Sequence, residues 1–141
     1  MAFFLLINIY NKIHFMAAGR YSFVIEQGAT LNLELQYKDA NGNPIDLTDY
    51  SGKMQIRPSI GSPVVYITLS SSLDADGTGL NFSGSNGATS PTSGSIGVYI
   101  SAASSSALSF DTGVYDLEIV SGSFISRILE GQVKLSPNVT L

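Results

Sequence analysis

The chain has 141 residues, enough for one domain with its own hydrophobic core. It contains no cysteine, which excludes disulfides and thiolate metal sites and fits assembly in a reducing cytoplasm. Only 13% of the residues are charged and the net charge is -4, so the surface offers little to a polyanion, and nucleic acid is not an expected partner.

The first fifteen residues, MAFFLLINIYNKIHF, differ from the rest. A signal peptide needs a basic segment before its apolar run. Here nothing basic precedes the run, and Lys12 follows it. The run from Ala2 to Ile7 is too short to span a bilayer, so no membrane association is expected. Met16 opens MAAGRYSF, which reads as a protein start. Two readings stand. Residues 1–15 are either an extension ahead of the true start or an apolar arm whose Phe3, Phe4, Leu5, Leu6 and Ile7 pack on a neighbouring chain, ordered only in that contact. The domain division is thus 1–19 for the arm or extension and 20–141 for the folded body.

From residue 21 onward, apolar and polar residues alternate in short runs broken by Gly, Asn, Asp and Ser, the pattern of strands joined by turns. The first predicted strand is 21–26. The second, 30–37, points Leu31, Leu33, Leu35 and Tyr37 inward and Asn32, Glu34 and Gln36 outward. KDANGNP is a turn cluster with a proline stop. Strand 53–57 turns Met54 and Ile56 inward, and strand 64–69 puts Val65, Ile67 and Leu69 on one face. Residues 70–95 are mostly Ser, Gly, Asn, Asp and Thr, with a short strand at 80–83 around Leu80 and Phe82. Strand 95–100 carries Ile96, Val98 and Ile100 inward. In SAASSSALS, Ser101 is placed to cap one helical turn that Ala102, Ala103 and Leu108 pack down. Strand 113–120 turns Tyr115, Leu117 and Ile119 inward. Strand 124–135 does the same with Leu129, Val133 and Leu135, and Gly131 on that face suggests a bulge or close packing.

Seven or eight short antiparallel strands with one short helical turn define an all-β sandwich or barrel. The segment Asp111-Thr-Gly113-Val-Tyr115-Asp-Leu117 favours the sandwich. Immunoglobulin-like sandwiches carry Asp-x-Gly-x-Tyr where the chain enters the penultimate strand, and the tyrosine hydroxyl there bonds to upstream backbone. The expected partner is the backbone of residues 109–111, and the expected burial site of Leu117 is the space between the sheets. The competing reading is an Asp-Thr-Gly turn that merely precedes a strand.

The stretch LELQYKDANGNPIDLTDYSGKMQI, with YSFVIEQGATL before it and RILEGQVKLSPNVT at the end, resembles the immunoglobulin-like N-terminal domain of phage baseplate upper proteins and related tailed-phage structural domains. The resemblance covers most of residues 20–140. Asp49 stands where that family often has glycine. Apart from any family, Asp39 and Gly42 favour a tight turn, Pro44 stiffens its exit, and Ile45 and Leu47 are placed to plug the open end of the sandwich, each contributing roughly 1.5–3 kcal/mol. The resemblance implies a non-enzymatic virion protein, assembled in the host cytoplasm in multiple copies with other tail, baseplate or fibre-attachment proteins; a capsid decoration protein is the nearest alternative.

Chemistry has few parts to draw on. His14 is the only histidine and lies in the arm, and no nucleophile-elbow sequence is present. Asp39, Asp46, Asp49, Asp74, Asp76, Asp111 and Glu118 are the carboxylates that could converge, yet most sit in turn sequences. Asp74-Ala-Asp76-Gly77 and Asp39-Ala-Asn41-Gly42 echo calcium loops but lack the later glycine and glutamate, so both are read as turns. No catalytic residue, cofactor or metal is expected. A rival reading is a carbohydrate- or receptor-binding module using Tyr10, Tyr50, Tyr66 or Tyr99; Tyr66 and Tyr99 read more simply as covers of outer sheet faces.

Overall fold

The computed structural model describes the backbone of residues 3–7, 9–13 and 19–140, with side chains described for 19–140. In chain order the strands are β1 (Phe3–Ile7), β2 (Ile9–Ile13), β3 (Gly19–Arg20), β4 (Phe23–Glu26), β5 (Leu31–Asp39), β6 (Ser51–Arg57), β7 (Ile67–Ser70), β8 (Gly79–Asn81), β9 (Ser95–Ile100), β10 (Thr112–Ser121) and β11 (Phe124–Ser136). Among the described residues, one short helix, α1 (Ala102–Ser106), and one 3-10 turn (Pro91–Ser93) interrupt them.

The strands form two sheets. One runs β2-β1-β5-β9-β8; the other runs β3-β11-β10-β6-β7, with β4 also paired to β11. All pairs are antiparallel except β3 and β4, which run parallel to β11. The period-two alternation turns one face of each sheet to the other. From the first sheet come Leu35, Tyr37, Leu80, Ile96, Val98 and Ile100; from the second come Ile25, Met54, Ile56, Tyr115, Leu117, Ile119, Leu129, Val133 and Leu135, all buried in a single core. At roughly 1.5–3 kcal/mol per large apolar side chain, this interior is the main stabilising term.

The structure refines the sequence expectation in its details. The first expected strand, 21–26, is shortened to β4 and preceded by the separate β3, because at Tyr21 the backbone turns aside: its N–H donates to the Glu130 carbonyl (3.0 Å) and its own carbonyl accepts from a side chain. Of the two readings of Gly131, close packing holds, since a Cβ there would collide with the Tyr21 carbonyl. The bulge lies three residues earlier, at Ile128, between the pairs Leu117↔Leu129 and Glu118↔Arg127. Strand β7 starts only at Ile67, and Val65 is 37% exposed, because the turn before it is held by Arg57 donating to the Ser62 carbonyl (2.6 Å).

At α1 the Ser101 side chain accepts from the Ser104 N–H (3.0 Å), the expected cap. Leu108 packs the helix down as expected, joined by Ser105 in place of Ala103. Ser105 is fully buried, and its hydroxyl donates to the Ala29 carbonyl (2.8 Å) while accepting from Gly28 N–H (2.9 Å). A hydroxyl satisfied on both sides is placed there at little cost, whereas Ala103 faces solvent.

Candidate functional site

The turn after β5 is built by one carboxylate. Asp39 Oδ1 accepts from the N–H groups of Asn41 and Asn43, both at 2.9 Å, and Gly42 takes φ 86, a left-handed conformation that glycine adopts freely. Pro44 forms an isolated bridge to Lys38, Ile45 N–H donates to the Tyr37 carbonyl (3.0 Å), and Leu47 is buried while Ile45 is half-buried. Asp46 Oδ1 accepts from both the backbone N–H and the hydroxyl of Thr48 (2.9 and 2.6 Å), and these bonds hold its carboxyl below the ordinary value. Asp49 has φ 67, the one non-glycine positive φ among the described residues, so the aspartate adopts the backbone that glycine would supply.

Tyr115 on β10 is 4% exposed. Its hydroxyl donates to the Tyr21 carbonyl at 2.5 Å, not to residues 109–111 as expected. Phe23 packs edge-on against the ring (5.1 Å), and burial pushes the Tyr115 phenol well up from its ordinary range, with the Tyr21 and Glu130 charges adding to it. The corner thus ties the N-terminal strands to β10 across the edge of the sheet. Asp111 is exposed and contributes its backbone, accepting from Leu135 N–H (2.9 Å). Gly113 is required by approach: a Cβ would stand 2.9 Å from the Arg57 carbonyl. Leu117 is fully buried between the sheets.

In the N-terminal run Phe3, Phe4, Leu5, Leu6 and Ile7, the described backbone forms a hairpin with β2 and pairs with β5 from Leu6↔Gln36 to Phe3↔Asp39. The expectation of order only against another chain is corrected in this respect. The exposed edge of β5 offers N–H and C=O groups within the same chain, and the hairpin takes them. The side chains of these residues and of Tyr10, and His14 as a whole, lie outside the described residues.

The acidic turn at 74–78 is structural. Asp76 Oδ1 accepts from Thr78 N–H (2.9 Å), and its Oδ2 accepts from the hydroxyls of Ser101 (2.5 Å) and Ser104 (2.7 Å), lashing the loop to the start of α1. The Ser101 bond, then the Thr78 and Ser104 bonds, hold its carboxyl well below the ordinary value. Both oxygens are therefore committed. Among the described residues no three His, Cys, Asp or Glu side chains stand together in a way that could hold a metal.

A further patterned surface is the outer face of β11-β10-β6, which sequence reading did not single out. Strand register sets Glu118 between Lys53 and Arg127, Asp116 between Gln55 and Glu130, and Val114 between Arg57 and Gln132. All three arginines of the chain reach a shallow depression of about 430 Å³ here: Arg20 pairs with Glu130 (3.2 Å), and Arg127 pairs with Glu130 (3.4 Å) and Asp116 (3.8 Å). Apolar residues bracket the charged strip, with Ile60 (94% exposed) at one end and Ile125 (61%) at the other. The signal was present as alternation on three strands, but the strands come together only through tertiary pairing. Tyr66, expected on an outer face, stacks instead on Phe110 (4.4 Å) and packs against the core.

This strand order, with its inter-sheet core and first strands crossing to run parallel with the last, defines an immunoglobulin-like β-sandwich. Among solved structures the chain is similar to the titin M3 domain, at 11% identity and a TM-score of 0.43, over 94% of this chain and 96% of that one. No protein-family model matches the chain, and no curated protein matches it. Among the described residues no helix is long and apolar enough to cross a membrane.

Proposed function

We propose that this chain is a non-enzymatic structural protein of a tailed-phage virion that assembles, in multiple copies, with other tail, baseplate or fibre-attachment proteins. The observation that carries the reading is the outer face of β11-β10-β6. A strip of mutually paired charges is bracketed by Ile60 and Ile125, side chains more than half exposed in the single chain. Large apolar groups left in water at both ends of a sheet face are what a protein neighbour covers. Supporting it is the resemblance at DANGNPIDLT, whose Asp39 turn and buried Leu47 form a rigid plug at one end of the sandwich.

The test is incorporation into particles. Purified virions carrying Ile60→Asp and Ile125→Asp should lose the protein while the isolated variant melts within about 1 kcal/mol of the parent, because exposed positions contribute little to folding. Equal incorporation of the double variant overturns the role of this face. Retention on tailless heads, with none on tails, would instead identify a capsid decoration protein.

A further inference from the structure

The other outer face, that of β5-β9-β8, is built differently, and its construction points to a small ligand. Register places two rows across it: Asn32, Tyr99 and Gly79, then Glu34, Gly97 and Asn81. The second row is roofed. A Cβ on Gly97 would stand 2.8 Å from both the Gly84 carbonyl oxygen and the Ser85 Cα, so the loop rests directly on the sheet there. The first row stays open, and Tyr99 is its large side chain, half-exposed on the floor of a groove of about 300 Å³. Leu73 (44% exposed) and Gly77 form the opposite wall, with a Cβ on Gly77 reaching within 3.4 Å of the Tyr99 ring.

Both walls are tied before any ligand arrives. Glu34 Oε1 accepts from the Ser85 N–H and hydroxyl, each at 3.0 Å. On the other side Asp76 is bonded to Thr78, Ser101 and Ser104. A preformed groove loses little entropy on binding. No lysine or arginine lines it, which disfavours anions, and its carboxylate, Asp76, is already engaged. What remains are amides. Asn81 Oδ1 is taken by Ser83 N–H (2.9 Å) and Asn86 Oδ1 by Ala88 N–H (2.9 Å), which leaves their Nδ2 groups as donors, with Asn32 beside the ring.

We propose that the Tyr99 groove is a binding site for a neutral saccharide, one or two rings in size. The C–H face of a pyranose stacks on Tyr99 and Leu73, and its hydroxyls bond to the amides of Asn32, Asn81 and Asn86. The site lies on the sheet opposite the assembly face, so it functions whether or not that face is covered.

The test uses the full chain with maltotetraose, cellotetraose and chitotetraose as probes at millimolar concentration. Saturation-transfer NMR should show transfer to at least one of the three. Amide shift changes should map to residues around Tyr99, Gly77 and Ser85. Tyr99→Phe should keep the affinity, whereas Tyr99→Ala should weaken it about tenfold, the worth of one aromatic stacking contact. Asn32→Ala, exposed and outside the core, serves as a second variant with the same expected direction. No transfer from any of the three probes, shifts that map elsewhere, or affinity unchanged in both Tyr99→Ala and Asn32→Ala would overturn the proposal. None of these results depends on whether the chain incorporates into particles.

Discussion

At the residue scale, two kinds of group hold the fold by their protonation state. Tyr115 donates its hydroxyl to the Tyr21 carbonyl in a buried setting. Tyr115→Phe removes the donor and leaves that carbonyl with one partner fewer, so unfolding free energy should drop by about 1–2 kcal/mol in urea denaturation; an unchanged midpoint would show that the bond contributes nothing net. Burial pushes the phenol of Tyr37 up to about 12 and raises that of Tyr115 further. Both folded values lie above the ordinary 10.0, so their contribution is complete below pH 10 and is lost as pH rises beyond it. Absorbance titration should therefore show a late ionising fraction that appears together with unfolding. Asp76 has the opposite sign. Its folded value lies below the ordinary 3.8, so its contribution is present at neutral pH and is lost as pH falls below 3.8. Asp76→Asn should flatten the acid limb of the melting-temperature curve; an unchanged limb would show that these hydrogen bonds contribute nothing net.

At the scale of elements, β11 is the hub of its sheet. It pairs antiparallel with β10 and parallel with β3 and β4, and the two parallel pieces are separated by the turn of backbone at Tyr21. Gly131 makes that crossing possible because it leaves room for the Tyr21 carbonyl. Gly131→Ala should push the N-terminal strands off β11 and cost about 1–3 kcal/mol, the usual scale of overpacking. Hydrogen exchange should speed first in β3 and β4. Uniform loss across both sheets would mean that the crossing is not a local weak point. The bulge at Ile128 acts on the same strand: the extra residue lets both Ile128 and Leu129 be buried, which strict alternation would forbid.

At the scale of the molecule, strands β3 to β11 supply both faces of the described core. Among the described residues, the buried core runs from Phe23 to Leu135 and draws on both sheets. A chain starting at Met16 should therefore give the same β-rich circular dichroism spectrum and two-state melting as the full chain. A molten or aggregated product would show that the β1–β5 pairing is needed to protect the edge of β5.

The alternating runs of the sequence determined by themselves which residues face the core. Leu35, Tyr37, Met54, Ile56, Ile96, Val98, Leu117 and Leu135 are legible as inward because strand side chains alternate with period two whatever the neighbouring strand is. The Asp39–Gly42 turn and the Ser101 cap are equally legible, since each is a bond within a few residues. What the sequence did not contain is which strands meet. The Tyr115–Tyr21 bond spans 94 residues, and the Glu34–Ser85 tie spans 51. The meeting of Arg20, Arg57 and Arg127 on one face, and the roofing of Gly97 that leaves Tyr99 open, both follow from sheet order. Local hydrogen bonds and period-two patterning act within a strand or a turn. The surfaces that meet other molecules are assembled from several strands, and only the tertiary pairing decided them.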